Sequence, residues 1–139
     1  MNLKYENKIS CKDYIRLRDE VGWDTLPEEQ AEAGLNNSAY VIACKDEEYV
    51  VASARVIWDG GYVAYICDVM VSPEYQGKGI GSEMIKKIMN YLENQLKSGW
   101  KIMIVLGAAE GKELFYEKFG FEKRPNEHLG AGMSQWISN

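Results

Sequence analysis

From residue 69 to 82 the chain reads Val69-Met70-Val71-Ser72-Pro73-Glu74-Tyr75-Gln76-Gly77-Lys78-Gly79-Ile80-Gly81-Ser82, an apolar run that enters a glycine-rich turn and leaves it as a helical pattern. Glycine lets the main chain approach a phosphate without interference from a β-carbon. A helix N-terminus adds unpaired N–H groups and about half a positive charge, so the segment has the chemistry of an anion cradle that a pyrophosphate would fit. The same glycines also suit a tight strand-to-helix turn that binds nothing. Spacing excludes two phosphate motifs. A P-loop needs Ser or Thr directly after Gly-Lys, where this chain has Gly79, and the dinucleotide fingerprint needs a glycine at the position of Ser82.

Asp68 is the second candidate. It interrupts the apolar run Tyr65-Ile66-Cys67-Asp68-Val69-Met70-Val71, and a carboxylate at a buried sheet position is costly unless it is paired or used. It is a candidate general base, with a solvent-facing or loop-bonded carboxylate as the alternative. Glu74, in the loop before the glycines, reads as an exposed charge. Cys67 alternates to the face opposite Asp68 and has no histidine near it in sequence, so it reads as a buried thiol rather than a nucleophile. His128, the single histidine, follows Pro125 in a polar loop and reads as surface or pocket rim.

These residues need elements to hold them. Ser10 and Asp13 open a helix over residues 11–21, and Pro27-Glu28-Glu29 opens a second through about Leu35. Tyr40 to Cys44, Tyr49 to Trp58 and Tyr62 to Val71 read as three strands of an antiparallel meander, broken at Asp46-Glu47 and Asp59-Gly60-Gly61. Ile80, Met84, Ile85, Ile88, Met89, Leu92 and Leu96 then recur every three or four residues, the pattern of a long amphipathic helix. Lys101 to Leu106 reads as a buried strand, Glu110 to Phe119 as a helix stopped by Gly120, and Met133 to Ile137 as a closing strand. If Met1 to Lys8 supplies a first strand, the fold class is α+β: a mixed, mostly antiparallel sheet of about six to seven strands flanked by four helices.

The 139 residues are 46% hydrophobic and 27% charged, a composition for one domain spanning 1–139 without internal repeats. A chain of this length buries roughly two-thirds of its unfolded surface and needs no disulfide or metal staple. Cys11, Cys44 and Cys67 are odd in number and lie in apolar stretches, which points to reduced thiols and a cytoplasmic location. No window reaches the ~18 apolar residues of a membrane span, and the N-terminal residues lack a signal-peptide core. With 21 acidic and 16 basic residues the net charge is -5, and no basic cluster interleaved with aromatics marks a nucleic-acid footprint. Neither nucleic acid nor membrane is expected as a partner.

The glycine turn resembles the coenzyme-A signature Gln/Arg-x-x-Gly-x-Gly/Ala of the GNAT superfamily of N-acetyltransferases, filled here by Gln76, Gly79 and Gly81. Ala108-Ala109, Phe115-Tyr116 and Gly120-Phe121 are similar to the family's later coenzyme-binding segment. The stretch from Trp58 to Phe121, with Gly132-Met133, further resembles a branch holding bacterial enzymes without assigned substrates and plant chloroplast enzymes for arylalkylamines and lysines. The resemblance implies the acyl-coenzyme A N-acyltransferase fold, acetyl-coenzyme A as co-substrate, no metal, and a possible homodimer. It implies that Val69, Met70 and Val71 offer backbone groups to the pantetheine arm. The amides of Gln76, Gly77, Lys78, Gly79, Ile80, Gly81 and Ser82 would cradle the pyrophosphate, with Ala109, Phe115 and Tyr116 also on the coenzyme. The strands ending at Val71 and Leu106 would splay to admit the thioester. By the same resemblance, Tyr116 is the general acid for the departing thiolate, the backbone N–H of Met70 or its neighbour meets the oxyanion, and Asp68 stands where glucosamine-phosphate acetyltransferases place an acid beside the substrate amine.

The function expected is transfer of an acetyl group to a small primary amine by direct attack in a ternary complex. The alternatives are acetylation of a lysine or N-terminus on a protein or peptide, and a non-catalytic module that binds or senses acyl-coenzyme A. The acceptor is expected to carry an aromatic body or a second cationic group, attracted by Asp68 and packed by Tyr62, Tyr65, Tyr116 and Trp136.

Overall fold

In the computed structural model, which describes residues 1–139, the apolar stretches pair as a single mixed sheet. Its strands are β1 (Leu3–Glu6), β2 (Tyr40–Asp46), β3 (Tyr49–Trp58), β4 (Val63–Val71) and β5 (Met103–Leu106). The sheet runs in that order, antiparallel from β1 to β4 and parallel between β4 and β5. Its helices are α1 (Cys11–Glu20), α2 (Glu28–Asn36), α3 (Ile80–Gln95) and α4 (Glu113–Glu117). The chain packs as two compact units, residues 1–106 and residues 107–139. No helix is long and apolar enough to cross a membrane.

Within the first unit, α1 begins where Ser10 Oγ accepts the Asp13 N–H at 3.0 Å, the cap that its sequence signalled. Tyr14 and Leu17 of α1 and Ala31 of α2 bury against Ala43, Val50 and Met70 on one face of the sheet. The periodic face of α3, with Ile80, Met84, Ile85, Ile88 and Leu92 buried, covers the other face, where Tyr40 stacks on Tyr91 at 4.4 Å. Leucine- and isoleucine-sized side chains removed from water in this way contribute roughly 1.5–3 kcal/mol each. That burial is what holds the strand ends and the turn before α3 in place.

In the second unit, α4 is shorter than its periodicity suggests. Gly111 adopts φ +82 in a turn where the Lys112 N–H bonds the Ala109 carbonyl, and a helix cannot propagate back through a left-handed residue. Gly120 is left-handed as expected, at φ +91, but α4 already ends at Glu117 with Lys118 as its C-cap, so Gly120 closes the turn that follows the helix. The closing strand over Met133 to Ile137 does not form: no helix or strand follows α4. The sheet therefore has five strands rather than six to seven. Period-two apolarity makes a strand only where a ladder partner exists, and Met133, Trp136 and Ile137 stay exposed. The Lys101 to Leu106 stretch begins its ladder only at Met103 and lies at the sheet's edge, so it is partly exposed rather than buried.

Candidate active site

The β3–β4 ladder breaks register in its middle. Ser53 lies opposite Met70 and Arg55 opposite Cys67, so Asp68 and Val69 together face Ala54. This is a β-bulge, and its first residue, Asp68, sits at φ +55. Aspartate tolerates that left-handed conformation better than most residues because its short polar side chain can bond locally. The bulge also cancels the alternation that would separate Cys67 from Asp68. Cys67 is the ladder partner of Arg55, and Asp68 bonds that same arginine. The sequence-based opposite-face placement of Cys67 is thereby corrected. Burial pushes the Cys67 thiol up to about 11, which keeps it protonated and leaves it a poor nucleophile.

Asp68 is heavily engaged. Its Oδ2 accepts the Tyr14 hydroxyl at 2.5 Å and Arg55 Nε at 2.7 Å, and Arg18 Nη1 stands 3.8 Å from Oδ1. Arg55 also donates to the Gly34 carbonyl and Ser38 Oγ, both at 3.3 Å. Arg18 donates through Nε and Nη2 to the Asp24 carbonyl. Burial and the bond to Asp68 push the Tyr14 phenol up to about 12, so Tyr14 is the donor. Two guanidiniums around one carboxylate leave the cluster with a net positive charge. The expectation that Asp68 draws an ammonium group does not survive this compensation.

Sequence reasoning passed over Tyr14, Arg18 and Arg55. The signal for Arg55 was present: it interrupts the apolar run Val50-Val51-Ala52-Ser53-Ala54-Arg55-Val56-Ile57 as Asp68 interrupts its own.

On its other side β4 is open. The ladder to β5 ends at the pair Ile66 and Leu106, so Cys67 to Val71 are paired only to β3. The Ser72 N–H donates to the Val51 carbonyl at 2.8 Å. By strand alternation the Met70 amide also points toward β3, while that of Val71 faces the open edge. The Val71 carbonyl, on that edge, accepts Gln76 Nε2 at 3.0 Å. Of the amides expected to meet an oxyanion, that of Met70 or its neighbour, the Met70 amide is the one turned toward β3. Met70 itself is fully buried core.

Beyond Val71 a single 3-10 turn, Pro73–Tyr75, is pinned by the Tyr75 hydroxyl to Asp46 Oδ2 at 2.6 Å. Gly77 and Gly79 follow at φ +76 and +84, and a β-carbon built at either would find no atom within 4 Å. Gly79 is the N-cap of α3, and no side chain caps that helix. Its first N–H groups have no side-chain acceptor, and the backbone at Gly77 and Gly79 is uncrowded. The first unit thus brings together Asp68, Val69, Met70, Val71 and the Gln76 to Ser82 turn. Ala109, Phe115 and Tyr116 belong to the second unit. There Tyr116 is buried, its ring edge-on to Phe115 at 4.9 Å and to Phe121 at 6.2 Å, and burial raises its phenol pKa.

A family model described as Acetyltransferase (GNAT) family matches residues 8–121. The chain is 33% identical over 128 residues to the uncharacterized N-acetyltransferase ycf52 of Pyropia yezoensis, an overlap of 89% of this chain and 71% of that protein. It is 31% identical over 129 residues to the histone acetyltransferase TAP1 of Glycine max, which covers 84% of this chain and 54% of the relative. The crystal structure of a probable acetyltransferase from meticillin-resistant Staphylococcus aureus superposes with a TM-score of 0.84 at 31% identity, over 96% of this chain and 99% of that one.

Proposed function

The chain belongs to the GNAT family of acetyltransferases, whose co-substrate is acetyl-coenzyme A, and we propose that it acetylates a small primary amine by direct attack in a ternary complex. The observation that carries this reading is the open β4 edge leading into an unfilled glycine cradle at the N-terminus of α3.

The co-substrate supplies an acetyl group activated as a thioester. In our reading the amides of Gly77 to Ser82, with Lys78 at the rim, hold its pyrophosphate. Backbone groups of Val69 and Val71 align the pantetheine arm, and the Val71 amide donates to the carbonyl oxygen as negative charge develops there. A single preorganised donor of that kind typically contributes 10² to 10³ in kcat. The family resemblance would add Ala109 and Phe115 to the coenzyme's neighbours and make the Tyr116 hydroxyl, whose pKa burial raises, the proton donor to the departing thiolate. An alkylamine with a pKa near ~10.4 is neutral about once in 10³ to 10⁴ molecules at pH 7, so the acceptor must shed its proton before attack. Desolvation of the ammonium and a water acceptor serve that step, because Asp68 Oδ2 already accepts from Tyr14 and Arg55 and Oδ1 faces Arg18.

The acceptor surface is apolar. Ile57 lies directly opposite Tyr65, and Val63 opposite Met103, on the sheet face that carries Arg55. All four are exposed, Ile57 by 48% and Tyr65 by 41%. Such a patch suits an aromatic or aliphatic body on the amine. The open face, together with the relative named as a histone acetyltransferase, favours acetylation of a protein lysine as a second reading. We place the activity in the cytoplasm, supported by three free thiols, and in a homodimer that sedimentation would reveal.

Coenzyme-thiol release measured over arylalkylamines, polyamines, amino-sugar phosphates, lysine peptides and acidic amino acids tests the proposal. Arylalkylamines should lead in kcat/KM. Lysine peptides ahead by more than tenfold would establish the second reading, and amino-sugar phosphates or acidic amino acids ahead by that margin would overturn both. Tight binding of acetyl-coenzyme A with no release on any amine would make the chain a sensing module.

A further inference from the structure

We infer that Tyr14, Arg55 and Asp68, braced by Arg18, form a positioning device that fixes the β4 bulge and thereby decides which backbone amides face the open edge. Its kinetic consequence rests on the acetyl-transfer reading, while its structural consequence does not.

The bulge matters because side-chain and amide directions alternate with a period of two. Without the extra residue, everything on one side of it would turn over. If Met70 held its place opposite Ser53, Cys67 would lose Arg55 as its partner. If the Cys67 end held instead, Met70 would turn from the face under α1 to the face under α3 and the Val71 amide would rotate toward β3. The direction of the oxyanion donor is therefore a property of the bulge.

The bulge does not hold itself, since a left-handed φ at a residue with a β-carbon is disfavoured. What offsets it is the convergence on one side chain. Asp68 Oδ2 takes donors from α1, through Tyr14, and from β3, through Arg55. Arg55 is tied in turn to the Gly34 carbonyl of α2 and to Ser38, just beyond it. Arg18 is fixed by the Asp24 carbonyl, with Nη1 directed to Asp68 Oδ1. Charge-assisted bonds of this kind are about twice as strong as neutral ones. The arrangement also argues against a proton-accepting role.

The test uses the full chain with Asp68→Asn, Asp68→Gly and Asp68→Ala, and two readouts. Amide hydrogen exchange at Met70 and Val71 requires no substrate. Steady-state kcat and KM, with the pH profile of kcat/KM, require the acetyl-transfer assay. Asparagine tolerates the left-handed conformation and keeps one acceptor. It should retain Met70 protection within about threefold, turnover within about tenfold, and an unmoved pH profile. Glycine accepts the φ without the tethers, and alanine loses both. Each should speed Met70 exchange at least tenfold and lower kcat at least a hundredfold. Asp68→Asn as inactive as Asp68→Ala, with the acidic limb of the pH profile gone, would make Asp68 the base and overturn the inference. Wild-type exchange and turnover in Asp68→Gly would overturn it as well. If the wild-type chain transfers no acetyl group, the acceptor reading fails, and the exchange arm still decides whether Asp68 holds the bulge.

Discussion

Arg55 Nε donates to Asp68 Oδ2 over 2.7 Å, although the ladder sets Arg55 opposite Cys67. The one-residue offset is the bulge expressed as chemistry: two charges that each interrupt an apolar strand answer one another across it. Each would be expensive alone in the sheet, and removing either partner from such a pair typically costs 3–5 kcal/mol. The pair is thus a structural requirement of β3 and β4 before it is anything else.

Tyr14→Phe should therefore destabilise the protein without disturbing its core. The ring, almost fully buried, stays in place, and what disappears is a hydrogen bond to a charged acceptor, about 1.5–3 kcal/mol. Urea unfolding with an unchanged slope and a lower midpoint is the expected result. An unchanged midpoint would show that the bond contributes nothing net.

Gly79→Leu should weaken acetyl-coenzyme A binding more than tenfold, at least ~1.4 kcal/mol. The substitution places a side chain in open space at the mouth of α3 and forces φ +84 on a residue that resists it. Calorimetry measures the affinity, and a thermal melt verifies that the variant is folded. Undiminished affinity in the folded variant removes the glycine turn from the coenzyme site.

Tyr116→Phe should lower kcat by the 10² to 10⁴ typical of general acid catalysis while leaving the coenzyme dissociation constant nearly unchanged. Its aromatic contacts with Phe115 and Phe121 do not require the hydroxyl. A fall of less than about threefold would return Tyr116 to a packing role.

Stability should decline at alkaline pH, in part through Cys67. Burial raises its thiol from an ordinary 9.0 to about 11. Over that interval the unfolded chain loses this proton while the folded chain keeps it. The contribution is fully present below about pH 9 and is lost as pH rises through about 11. Melting temperatures recorded from pH 8 to 11 should fall less steeply in Cys67→Ala than in the wild type. Parallel slopes would show that the thiol ionises alike in both states.

Much of the first unit was legible because its signals are local. The three- and four-residue recurrence from Ile80 to Leu92 needs only the helical period and a core to face, and α3 runs over Ile80–Gln95 accordingly. The run from Tyr49 to Trp58 is a strand with those bounds. The Gln76 to Ser82 turn was readable because positive φ at Gly77 and Gly79 is written into the residue type.

What the sequence by itself determined is this set of elements, the glycine turn and the family. The tertiary structure alone decided which way the residues between them point. A bulge shifts alternation by one residue and leaves no mark on hydrophobic period, so neither the shared face of Cys67 and Asp68 nor the inward amide of Met70 could be read from spacing. The apolar residues near Met133 lacked a ladder partner, and a strand cannot form on pattern alone. Asp68 and Arg55 were each visible as a charge in an apolar run. That they meet is a long-range fact, since 13 residues separate them in sequence and only the pairing of β3 with β4 brings their charges within hydrogen-bond reach.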